Sequence, residues 1–219
     1  MPTKRDKPYI WVTWLTKLLV GESSCEWAAW FRAQHYSESY EKVPNPFDLV
    51  GWQMEHTSLL NQKRDELESE GQKVFLENQN SFTLRGNTAA LGGKPDLIAV
   101  SGVQGLILDV KTGKPALSHS MQLMVYMYAI PRALGQHQGI RFDGKVVYTD
   151  SSQNVDIPHT AVDDTFIRNL ADLIRRVSSE TPARKVPSQQ ECSFCNITSA
   201  DCPERVVEDG LEEGTTDDF

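Results

Sequence analysis

The chain has 219 residues, 39% of them hydrophobic and 24% charged, with a formal net charge of −8. That length suits one well-buried domain and is short for two, the composition is that of an ordinary globular protein, and no segment approaches the ~18 uninterrupted apolar residues of a membrane helix. The acidity argues against a broadly basic nucleic-acid binder, yet it is concentrated: Glu204 to Phe219 holds seven acids against Arg205, a net of −6, which leaves −2 for the rest of the chain.

Ile10 to Val20, with Trp11, Trp14, Leu15 and Leu18 at helical spacing, predicts an amphipathic helix. Lys4, Arg5 and Lys7 precede it as in a signal peptide, but Thr13, Thr16 and Lys17 interrupt the apolar run and Gly21-Glu22 is no cleavage site. A cytoplasmic, non-membrane protein is expected. Ser23-Ser24 predicts a cap for a second helix from Cys25 through Phe31 towards Tyr36, with Trp27, Trp30 and Phe31 as core. Tyr40 to Leu49, with Pro44 and Pro46, reads as a linker that could move. A long charged helix follows from Trp52 to Glu70, closed by Gly71, and then strands at Lys73 to Leu76 and Phe82 to Arg85. Two further strands, Leu97 to Val100 and Leu106 to Val110, flank a Ser101-Gly102 break that suits a hairpin turn. Ser118 to Leu134 reads as a helix closed by Gly135, Lys145 to Tyr148 as a strand, and Asp163 to Val177 as a last helix before the Pro-containing run into Cys192. The order predicts a mixed α/β sandwich forming one domain over residues 1–205, followed by an acidic, poorly ordered tail over 206–219.

Three stretches carry chemistry. Asp96 follows Pro95 and opens one strand, while Asp109 and Lys111 end the next. Residues two apart on a strand share a face, so Asp109 and Lys111 project together. Leu106-Ile107-Leu108 marks that strand as buried, and charges ending a buried strand are costly unless paired or metal-bound. Two carboxylates are hard oxygen ligands for Mg²⁺ or Mn²⁺, and a lysine beside them can orient an attacking water or offset charge growing on a phosphate. Gln122 and Tyr126, four apart on the following helix, lie on one face of it, and a glutamine among Met121, Leu123 and Met124 wants a polar partner. Cys25 stands alone near the start, and Cys192, Cys195 and Cys202 form Cys-x2-Cys-x6-Cys near the end. Four thiolates suit a tetrahedral Zn²⁺ or an iron–sulphur cluster, and spacing does not choose between them.

Pro95-Asp96 with Asp109-Val110-Lys111 resembles the motif of the PD-(D/E)xK nuclease superfamily, and Gln122 with Tyr126 resembles the QxxxY element of its RecB-like branch. The resemblance implies a restriction-endonuclease-like core, a mixed central sheet flanked by helices. It further implies His56 as a nitrogen ligand beside Asp96, Asp109 and the Val110 carbonyl, Lys111 as the residue that positions the nucleophile, and Gln122 and Tyr126 as supports of the site and the DNA backbone. One cysteine before the core and three after it are similar to the iron–sulphur subgroup that includes CRISPR-associated spacer-acquisition nucleases and the AddB nuclease domain. By that likeness Cys25, Cys192, Cys195 and Cys202 would hold a [4Fe-4S] cluster acting as a staple between the two ends of the chain, with Zn²⁺ the alternative occupant. The expected activity is that of a Mg²⁺- or Mn²⁺-dependent exonuclease on single-stranded or free-ended DNA. The alternatives are a non-catalytic DNA-end-binding subunit working with recombination or CRISPR adaptation proteins, and a Zn²⁺ protein whose cysteines organise a protein-interaction surface. Lys111, Lys114, Arg132, Arg141 and Lys145 are expected to line a backbone-binding groove, and His35, His119, His137 and His159 to be structural or superficial.

Overall fold

The computed structural model of the protein describes residues 1–44 and 49–206. Its first segment departs from the predicted helix. Tyr9–Trp11 forms strand β1, Val12–Trp14 a single 3-10 turn, and only Thr16–Leu19 is α-helical (α1). The β-branched residues Ile10, Val12 and Thr13 are stiff at χ1 and favour extended backbone, and parallel pairing of β1 with Ala90–Gly93 buries Ile10 completely. Helix α2 covers Glu26–Gln34 and buries Trp27, Trp30 and Phe31 as expected. Its N-cap, however, is Cys25 without a side-chain bond. Ser23 and Ser24 turn instead to the carboxylate of Glu191, the hydroxyl of Ser23 and the amide of Ser24 both donating to it, at 2.6 and 2.5 Å.

Helix α3, Leu49–Ser69, ends at Gly71, whose φ of +80° is the left-handed conformation that suits a terminating glycine. Strands β2 (Lys73–Leu76), β3 (Phe82–Arg85), β4 (Ala90–Gly93), β5 (Leu97–Ser101) and β6 (Gln104–Lys111) follow. Gly102, at φ +61°, makes the predicted β5–β6 turn. Helix α4 (Leu117–Ala133) then crosses to β7 (Arg141–Tyr148), which lies parallel to β6, and β8 (Val155–Ile157) closes the edge. The result is two mixed sheets flanked by helices: β1-β4-β3, and β2-β5-β6-β7-β8. Helix α4 does not end on Gly135 as predicted. Pro131 removes one amide from its last turn, and the chain leaves through an extended Leu134. Helix α5, Asp164–Ser178, starts where predicted, its first turn capped by the Asp163 carboxylate, which accepts from the Phe166 amide at 2.7 Å. Helix α6 is the short turn Gln189–Ser193.

The five-stranded sheet is covered on both faces. Leu97, Ala99, Leu108, Val110 and Val147 pack with Leu60 and Leu67 of α3, while Ile98, Ile107, Phe142 and Val146 pack with Leu123, Tyr126 and Ile130 of α4. Strand alternation therefore sends Val110 towards α3 and the flanking Asp109 and Lys111 towards α4. Among the described residues no helix is long and apolar enough to cross a membrane. Part of the expected linker (45–48) and nearly all of the expected acidic tail (207–219) lie outside the described residues.

Candidate active site

Strand β6 delivers Asp109 and Lys111 to the α4 face, with Lys111 Nζ 2.5 Å from Asp109 Oδ2. From α4, Gln122 accepts from Lys111 Nζ through Oε1 (3.2 Å) and donates through Nε2 to Asp109 Oδ1 (3.1 Å) and to the Tyr126 hydroxyl (3.1 Å). The polar amide that looked misplaced among methionines is thus the centre of a buried network, and the helical spacing of Gln122 and Tyr126 puts both into it. Tyr126 is 1% exposed and packs edge-on against Phe82. Gly93 lets the β4 backbone come this close, since a Cβ there would stand 2.7 Å from the Tyr126 ring.

Asp96 sits just before β5, held by its backbone: its carbonyl accepts from the Glu77 amide at 2.9 Å, and the preceding Pro95 carbonyl accepts from Asn80 Nδ2 at 3.2 Å. Its Oδ2 accepts from the Val110 amide at 2.8 Å and lies 3.2 Å from His56 Nε2. His56, 8% exposed on α3, thus reaches from the opposite layer the carboxylate beside which sequence likeness placed it.

Burial governs the electrostatics. Desolvation pushes the Asp109 carboxyl up to about 6, with the Lys111 ammonium opposing it and the Asp96 charge adding to it. The hydrogen bond to Asp96 raises the pKa of His56 against the opposing effect of burial. Tyr126 is raised chiefly by burial and secondarily by the Asp109 charge. Asp109 Oδ2 is buried and has no hydrogen bond of good geometry, only the charge contact with Lys111. A solvent-free carboxylate oxygen with spare lone pairs is suited to a hard cation.

The five expected groove cations do not all assemble. Lys111 is in the network, but Lys145 pairs in register with Leu108, so the pleat sends it to the other face of the sheet, where it meets Asp156 at 3.3 Å. Arg132 lies at the far end of α4, its guanidinium over the Tyr128 ring. Sequence reasoning also passed over Glu22, whose carboxylate accepts from the Ser118 amide in the first turn of α4 at 3.2 Å. His119, expected to be structural or superficial, bonds Tyr148 beside Lys111. His137 is fully buried between Phe75 and Phe142, and His35 is buried against Phe31, so both are structural as expected.

A cavity lies away from these acids, between the N-terminal helices and the C-terminal segment. It measures about 410 Å³, and Cys25, Cys192, Cys195 and Cys202, all free thiols, line it. Burial, first, raises the pKa of Cys202, with Cys192 and Cys195 near enough to add to the effect. Arg205 organises the cysteine loop by donating to the carbonyls of Cys192, Cys195 and Ile197, each at 2.8 Å. Arg32 bonds Asn196 at 2.9 Å and approaches Cys195 Sγ at 3.9 Å. The segment is also tied to the N-terminal helices without any cluster: Trp30 Nε1 donates to the Ser179 carbonyl at 2.8 Å and the Trp27 amide to Arg184 at 2.9 Å. Among the described residues no three His, Cys, Asp or Glu side chains are drawn together as a ready-made metal cluster, at the acids or at the thiols.

A family model described as the PD-(D/E)XK nuclease superfamily matches residues 21–202. No curated protein matches the chain in sequence. Among solved structures, the one titled "Crystal structure of SSO0001" aligns over 94% of this chain and 91% of its own at 20% identity, with a TM-score of 0.49.

Proposed function

The chain belongs to the PD-(D/E)XK nuclease superfamily, and on that footing we propose that it is a Mg²⁺- or Mn²⁺-dependent exonuclease hydrolysing single-stranded or free-ended DNA. The observation that carries this reading is the fixed juxtaposition of Asp109, Lys111 and Gln122 on the α4 face of β6 with Asp96, which bonds the Val110 amide and meets His56 from α3. The buried Asp109 Oδ2, which has only the charge contact with Lys111 among the described residues, fits a hard cation. Asp96, Asp109, His56 and the Val110 carbonyl would hold it. When bound, such an ion polarises a phosphoryl oxygen and makes water a stronger nucleophile at neutral pH.

The chain's own residues supply the rest. Lys111 Nζ, steered by Gln122 Oε1 and Asp109, orients a water for in-line attack on phosphorus and offsets the negative charge that grows on the phosphoryl oxygens. Gln122 keeps Asp109 and Lys111 in register with each other, and Tyr126 fixes the Gln122 amide from behind. Without metal, burial holds the Asp109 proton up to about pH 6, so a cation competes with a proton for this carboxylate and binds less well as pH falls.

We also propose that Cys25, Cys192, Cys195 and Cys202 ligate a [4Fe-4S] cluster, as in the nucleases of CRISPR adaptation and the AddB nuclease domain. Four free thiols around one cavity support it. So do Lys17, Arg32, Lys185 and Arg205 in the same lining, since cations favour an anionic cluster over neutral thiols. The cluster would close a cavity between segments that already hydrogen-bond, adding stability to a junction rather than creating one. Two experiments test these readings. End-labelled single strands should shorten with Mg²⁺ or Mn²⁺ and remain intact in EDTA, and binding without hydrolysis would favour an end-binding subunit. Anaerobically purified protein should be brown; a colourless protein holding zinc would replace the cluster with Zn²⁺.

A further inference from the structure

Lys111 and Tyr148 are register partners on the parallel strands β6 and β7, so their side chains leave the same face of the sheet, the one α4 covers. His119 lies on the first turns of α4, three residues before Gln122 and seven before Tyr126, and therefore on the face those residues turn to the site. It stands nearer the helix N-terminus, next but one to the exposed Leu117, and is itself partly exposed. The imidazole packs on the Tyr148 ring with centroids 5.8 Å apart, and Nδ1 lies 2.8 Å from the Tyr148 hydroxyl, its one hydrogen bond among the described residues.

In the tautomer in which the Tyr148 hydroxyl donates to His119 Nδ1, the ring hydrogen sits on Nε2 and is available to an acceptor outside the protein. Burial, and after it the Lys111 charge, lower the pKa of His119, so the ring is a neutral, directed donor rather than a cation. A donor held this way beside the network of Lys111 and Gln122 is more than an α4–β7 tie needs.

We propose that His119 is a substrate-binding residue whose Nε2–H donates to a non-bridging oxygen of a backbone phosphate adjoining the scissile one, with Tyr148 as its positioning residue. This rests on the nuclease reading above. Three residues, about 4.5 Å along α4, separate this donor from the Gln122 level of the site and carry it towards the neighbouring phosphate.

The test uses the full chain and a fluorescent single-stranded oligonucleotide in which one phosphate at a time is replaced by an uncharged methylphosphonate. His119→Ala should raise KM about tenfold with kcat within about twofold, the loss of one hydrogen bond to a charged oxygen. A methylphosphonate at one position beside the cleavage site should weaken wild-type binding about tenfold and the variant's by less than about twofold, because the lost contact is the same one. Tyr148→Phe should reproduce part of the KM rise, and His119→Gln, which keeps an N–H donor, should recover part of the loss. An unchanged KM, or a His119→Ala protein of lower thermal stability with the wild-type methylphosphonate penalty, overturns the proposal in favour of a structural tie. Wild-type protein that neither binds nor cleaves DNA overturns the nuclease reading with it, whereas wild-type cleavage without this coupling overturns the role of His119 alone.

Discussion

Asp109→Asn should make the metal-free protein more stable at pH 8 while removing its activity. The carboxylate is 2% exposed, and burial lifts its pKa from 3.8 to about 6. A raised pKa means that the folded state holds the proton more tightly than the unfolded state does, so the stability linked to it is complete below about 3.8 and lost as pH rises through about 6. At pH 8 the loss approaches two pKa units at about 1.4 kcal/mol each, roughly 3 kcal/mol. Asparagine keeps the Gln122 bond to Oδ1 but faces Lys111 with an amide in place of a carboxylate, and that loss of a counter-charge returns part of the gain. A net stabilisation of about 1–2 kcal/mol, or some 2–8 °C in Tm for a domain of this size, is expected. The assay is thermal and urea denaturation of both proteins in EDTA at pH 4 and pH 8. The gap should be present at pH 8, largely absent at pH 4, and reversed at pH 8 by Mn²⁺, which stabilises only a protein that binds it. An asparagine variant no more stable than wild type at pH 8, or equally favoured at both pH values, would refute the assignment of a costly buried charge at this position.

Lys111→Ala should abolish cleavage while leaving DNA affinity within a few fold in a gel-shift assay, because the proposed role of the lysine is at the reacting phosphate; substantial hydrolysis by the purified variant would remove it from the chemistry. Cys192→Ser or Cys195→Ser should lose visible absorbance and thermal stability together, with activity falling in step with unfolding. A variant as stable as wild type but inactive would give the cluster a direct role in the reaction. Ending the chain after Val206 removes six acids and no base, and fluorescence anisotropy should show tighter single-strand binding at low salt with little change at high salt, where the field is screened within about 3–8 Å. Weaker binding by the shortened, folded protein would assign those residues a contact of their own.

Much of the site was legible because it depends on short-range geometry. The period of a strand puts Asp109 and Lys111 on one face, the period of a helix puts Gln122 and Tyr126 on another, and apolar neighbours on β6 announce that the charges are buried. The Asp163 start of α5, the Gly71 end of α3 and the Gly102 turn are equally local, each a preference of one residue for one backbone conformation. Strands β1, β4 and β8 were not legible. They are three or four residues long, and β1 and β4 are strands because they pair with each other across a long stretch of chain.

What only the tertiary structure decided is which groups lose their water and which distant groups meet. The sequence determines that Lys111 and Lys145 are cations near the catalytic strands; sheet register determines that one enters the site and the other leaves by the opposite face to meet Asp156. It determines four cysteines, while the docking of the C-terminal segment on α2 determines that they surround a single cavity with Arg32 and Arg205 at its wall. Nothing near His119 in the chain marks it, and Tyr148, which orients it, comes from the strand beyond α4. Periodicity is a property of neighbours along the chain, so it can be read from them. Desolvation and strand pairing are properties of the assembled sheet and exist only once its layers have closed over it.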